Sequence, residues 1–101
     1  MVRSRIIPIR HEDLVKVFEL DGFHVARQRG DHLVLTKPGA KRPVVIKTSP
    51  SLVPVTHILT NLRTAGISRK RYFELLARIR WYSLKLKLFA LASADPSSRP
   101  L

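Results

Sequence analysis

Phe23-His24-Val25-Ala26-Arg27-Gln28-Arg29-Gly30-Asp31-His32-Leu33-Val34-Leu35-Thr36 reads as two strands joined by a Gly30-Asp31 turn, and the rest of the chain can be organised around that hairpin. Glycine at the first central position of a two-residue loop suits a type II′ turn, in which that position needs a positive φ. Arg29 then sits opposite His32. The pleat puts Arg27, Arg29, His32 and Val34 on one face and Ala26, Gln28, Leu33 and Leu35 on the other, with His24 on the face away from His32. A histidine bracketed by two guanidiniums is a place to hold a phosphodiester and move a proton. A solvated hairpin tip accounts for the same pattern without any function.

The 101-residue chain has room for one domain with a modest core, and 19 Lys and Arg against 7 Asp and Glu leave a formal charge of +12. That balance points to an anionic partner; nucleic acid, an acidic membrane surface and an acidic protein all satisfy it. Cysteine is absent, which excludes a disulfide framework, a thiolate metal site and a cysteine nucleophile, and suits a reducing compartment. The apolar run near the N-terminus is too short for a secretory signal and is broken by Pro8. Lys85 and Lys87 interrupt the longest apolar window before it reaches the roughly 18 residues of a membrane span. The expected location is the cytoplasm, with no membrane association.

Ile6 to Ile9 should be extended, and His11 to Asp21 carries Leu14, Val17 and Phe18 at helical spacing before Gly22 closes the helix. Glu12 and Asp13 fall in its first turn, where complementing the dipole is role enough. After the hairpin, residues 37–43 form a turn cluster whose Lys37, Lys41 and Arg42 either line a nucleic-acid groove or face solvent. Val44-Val45-Ile46 is a third strand, giving a three-stranded antiparallel meander. Ser49-Pro50-Ser51 is a loop, and Pro54 opens a helix with Val55, Ile58, Leu59 and Leu62 along one stripe. Gly66 ends that helix, Ile67 supplies the apolar contact of a glycine cap, and Ser68 N-caps a further helix. Leu84-Lys85-Leu86-Lys87-Leu88 alternates with period two, but the absence of a turn signal and the Ala and Leu content favour helix through Ala92. The expected core is enclosed by the three strands and the two helices ending near Ala65. Asp95 to Leu101 has the composition of a disordered tail.

The four histidines, His11, His24, His32 and His57, lie far apart without ligand spacing, so neither a metal nor another cofactor is expected. No P-loop, Ser-His-Asp spacing or glycosidase-type carboxylate pair is present. His24 and His57 read as surface or packing histidines. What survives is acid–base work on RNA, whose 2′-hydroxyl is an internal nucleophile needing only a base and cations to hold the developing charge. His32 with Arg27 and Arg29 fits that need, and the second proton donor would be a water or a residue that the spacing does not place.

The order helix, strand, strand, strand, helix, together with Gly22-Phe23 and Arg27-Gln28-Arg29-Gly30-Asp31-His32, resembles the HicA (YcfA-like) toxin family. The resemblance covers roughly Ile7 to Leu76 and includes Leu62-Arg63-Thr64-Ala65-Gly66-Ile67-Ser68, which looks like the end of that family's second helix. It implies an α+β fold like the double-stranded-RNA-binding domain, α-β-β-β-α with a three-stranded antiparallel sheet, to which this chain adds a C-terminal helix. It also implies cleavage of mRNA and neutralisation by a HicB antitoxin. The family's motif is usually Gly-Ser-His, often followed by a second histidine, and its catalytic histidine maps onto His32. Asp31 stands in place of the serine and Leu33 in place of the second histidine. Asp31 either orients His32 or forms the turn with Gly30.

The reading is a metal-independent mRNA interferase toxin with a domain over residues 6–80, a basic leucine-rich extension over 81–101, His32 as general acid or base, and Arg27, Arg29, Lys37, Lys41 and Arg42 binding RNA. The same fold without turnover would be an RNA-binding module. A third reading gives Trp81 to Leu91 to a partner helix or an anionic membrane.

Overall fold

The computed structural model describes residues 5–93. Its elements run β1 (Ile9–Arg10), α1 (His11–Leu20), β2 (His24–Arg29), β3 (His32–Thr36), β4 (Val44–Lys47), β5 (Leu52–Val53), α2 (Val55–Ala65) and α3 (Arg69–Ser93). The main sheet is antiparallel in the order β2-β3-β4, and α1 and α2 both pack against β4 while α3 packs on α1. This is the expected α+β arrangement of the double-stranded-RNA-binding-domain type, with a C-terminal helix added. The tail residues Asp95 to Leu101 lie outside the described residues.

Two glycines stop the first two helices by the same device. Gly22 at φ 103° donates its N–H to the Glu19 carbonyl and Phe23 donates to Phe18, both at 3.0 Å. Gly66 at φ 71° donates to Arg63 at 3.2 Å, and Ile67 donates to Leu62 at 2.9 Å. This paired reversal satisfies carbonyls the helix leaves orphaned and folds the next apolar residue back onto the last turn. At α1 that residue is Phe23, whose ring meets Phe18 edge-on at 5.6 Å. Both glycines adopt a conformation that L side chains avoid. Ser68 then opens α3, its Oγ accepting the Arg71 N–H at 3.1 Å.

The sheet presents Leu35, Val44 and Ile46, all fully buried, to the helices. Leu14, Val17 and Phe18 of α1 and Ile58 and Leu62 of α2 fill the same core. The third helix is also part of it, contrary to the expectation that the core closes near Ala65. Tyr72, Leu75, Leu76 and Ile79 recur at i, i+3, i+4 and i+7 and are buried, so the first three turns of α3 form a core wall. Burial pushes the Tyr72 phenol up to about 12. After Ile79 no residue through Leu91 is buried; Trp81 is 62% and Phe89 72% exposed. The period-two leucines are helical, so they point around the axis rather than along one stripe.

A second, two-stranded sheet was not expected. Ile9 pairs with Val53 and Arg10 with Leu52, and the Ser51 carbonyl accepts the His11 N–H at 3.0 Å. Two-residue strands carry no readable alternation, yet this pairing buries Ile9 and Val53 and ties the entry of α1 to the entry of α2. A salt bridge fixes another junction. Asp21, at the end of α1, holds Lys37 Nζ at 2.8 Å and Arg71 Nε at 3.7 Å, which links the end of β3 to the start of α3.

Candidate functional site

The turn between β2 and β3 has Gly30 at φ 58° and no positive φ at Asp31, the pattern of a type II′ turn. The Gln28 side-chain amide donates to the Gly30 carbonyl at 3.2 Å. The Asp31 carbonyl accepts the Thr48 N–H at 2.7 Å and the Thr48 hydroxyl at 3.3 Å, so the tip is pinned to the end of β4. On this fixed turn, Asp31 Oδ1 lies 2.9 Å from His32 Nδ1. A carboxylate only accepts, so the facing nitrogen carries the proton, and a neutral imidazole then offers its Nε2 lone pair away from Asp31.

Registers assemble the outer face of the sheet. Arg29 pairs with His32, which pairs on its other side with Lys47, making one row across three strands. Arg27, Val34 and Val45 form the next row. Two expectations are corrected here by a β-bulge between Val25 and Arg27. Val25, not Ala26, pairs with Leu35, and His24 pairs with Thr36. The extra residue inverts the alternation, so His24 shares the face of His32, Arg27 and Arg29 rather than the opposite one.

The structure separates the other expected RNA ligands from this row. His32 begins β3 and Thr36 ends it, about 13 Å away at strand rise. Lys41 and Arg42, both exposed, lie in the connection beyond that far end. Lys37 is committed to Asp21: besides the carboxylate, its ammonium donates to the Asp21 carbonyl at 3.3 Å and lies 4.8 Å from the Phe23 ring centroid. A cation at the C-terminal end of α1 complements the dipole there.

Beside the row, α2 runs along β4 and the two enclose an open groove of about 230 Å³ lined by His32, Val45, Lys47, His57, Thr60 and Asn61. Lys47 and His57 were not singled out as site residues from the sequence. The readable signals were the alternation of β4, which puts Lys47 two residues from Val45, and the i, i+3, i+4 spacing of His57, Thr60 and Asn61 on α2. Among the described residues no three His, Asp or Glu side chains form a group that could hold a metal ion, and no helix is long and apolar enough to cross a membrane.

The family model for the HicA toxin of bacterial toxin-antitoxin pairs matches residues 12–67, more than half of the chain. The chain belongs to the HicA toxin family. No curated protein matches it closely enough to be named as a relative. The HicA match begins inside α1 and ends just past the Gly66 cap, so it contains the bulged hairpin, the Arg29–His32–Lys47 row and the α2 wall of the groove. All of α3 lies beyond it. As a HicA toxin the chain has the toxin role in such a pair, which implies an antitoxin partner.

Proposed function

We propose that this HicA chain is an mRNA interferase, a metal-independent endoribonuclease acting on cytoplasmic mRNA and neutralised by a HicB-like antitoxin. The observation that carries the reading is the carboxylate-held imidazole of His32 in a row with Arg29 and Lys47. His32 Nε2 takes the proton from a ribose 2′-hydroxyl as that oxygen attacks the adjacent phosphorus. The phosphorane-like charge then develops beside Arg29 and Lys47, with Arg27 in the next row binding the flanking phosphate. The bond to the 5′-oxygen breaks, leaving a 2′,3′-cyclic phosphate and a 5′-hydroxyl. Asp31 holds the imidazole in one tautomer and orientation, as the carboxylate does in a Ser-His-Asp triad. Residues 6–80 form the toxin domain, since the buried positions of α3 end at Ile79.

The test is incubation of purified protein with single-stranded RNA and DNA in EDTA. Cleavage of RNA alone, ending in the cyclic phosphate or its hydrolysis product, is expected. Activity that chelation abolishes and Mg²⁺ restores would defeat this mechanism, and salt-sensitive binding without any cleavage would make the chain an RNA-binding module.

A further inference from the structure

We infer that His57 is the general acid for the ribonuclease reaction, an assignment that rests on the function proposed above. The chemistry requires two proton transfers at opposite ends of one displacement. The attacking 2′-oxygen loses a proton and the departing 5′-oxygen must gain one. In an in-line displacement those two oxygens lie on opposite sides of phosphorus, so a base held on one side cannot serve the other in the same step. Asp31 fixes His32 through Nδ1, which leaves that imidazole a single working nitrogen.

The groove supplies the second side. His32 and Lys47 stand on the sheet wall, and His57 stands on the α2 wall, with Thr60 and Asn61 one turn further along the helix. At about 230 Å³ the groove is below the usual size of a small-molecule pocket, and suits a single phosphodiester linkage with the bases left outside. Lys47 is the other cationic group of the lining, but a lysine ammonium is a weak acid near neutral pH, whereas an imidazolium gives up its proton there. Lys47 therefore holds charge while His57 transfers the proton. Asn61 is the buried polar side chain of this wall, and the core residues Ile58 and Leu62 hold α2 against the rest of the fold. His57 itself is exposed, so its imidazole is free of any core-packing duty.

A substrate with sulfur in place of the bridging 5′-oxygen separates the roles, because a thiolate departs without being protonated. Parent, His32→Ala and His57→Ala are compared on ordinary and 5′-thio RNA, with melting temperatures recorded and His57→Gln as a second variant of similar size. His57→Ala and His57→Gln should cleave ordinary RNA roughly 100- to 10,000-fold more slowly than the parent and recover most of that loss on the 5′-thio substrate. His32→Ala should be slow on both. Ordinary cleavage at the parent rate by both His57 variants, or equal slowing on the two substrates, overturns the assignment while leaving the ribonuclease reading intact. A parent that cleaves neither RNA overturns both.

Discussion

The two ends of β3 carry the same residue types for different purposes. At the turn end, Arg29, His32 and Lys47 stand in register beside an open groove, and the carboxylate there, Asp31, faces the histidine. At the far end, the carboxylate of Asp21 faces a lysine, and Lys37 is spent on closing α1 against β3 and α3. Basic composition alone treats these cations as one RNA-binding set. Their partners divide them into a row beside the groove, a structural clamp and a pair of exposed loop cations, Lys41 and Arg42.

Substitutions should reproduce that division. Among the cations, the largest effect is expected at the turn end, where Lys47→Ala should lower single-turnover cleavage at saturating RNA by roughly a hundredfold, as removing one donor from a charge-stabilising site does. An unchanged rate would take Lys47 out of the reacting row. A smaller effect of another kind is expected from Lys37→Ala: about 1 kcal/mol of stability in a denaturant titration, from the loss of a partly buried ion pair and its contact with Phe23, with cleavage per folded molecule preserved. A rate loss without a stability loss would return Lys37 to the substrate side. The smallest effect belongs to Lys41→Ala and Arg42→Ala, which should leave the maximal rate alone and each reduce the salt slope of RNA affinity by about 0.7. A slope equal to that of the parent would mean that the far end does not touch phosphate.

Much of this layout was legible in the sequence because local chemistry wrote it. Gly30 in the first turn position announced the hairpin, and the glycines at 22 and 66, each followed by a large apolar residue, announced both helix ends. Ser68 announced the start of α3. The bulge left no such mark: Ala26 needs no unusual residue to be the unpaired one, yet it moved His24 across the sheet. The β1–β5 pair is too short to show a period, and its partners are joined only by the folded core. For α3, the stripe of Tyr72, Leu76 and Ile79 was readable at helical spacing, but stopping the core near Ala65 left it out of the core; a helix wall shows itself only once there is a sheet and a first helix to pack on. The groove was the least legible feature. His57 and Lys47 belong to elements whose neighbourhood is tertiary, so single-element patterns left Lys47 unremarked and read His57 as a surface or packing histidine.

The most direct measurement of the central claim is single-turnover RNA cleavage and thermal stability on the same preparations of the parent and His32→Ala. The His32 side chain is 47% exposed and sits at a hairpin tip, so its loss should cost within about half a kcal/mol of stability. As the positioned base its loss should slow cleavage by roughly 100- to 10,000-fold. Cleavage by His32→Ala at the parent rate, or a rate that falls only in proportion to the folded fraction, would contradict the account.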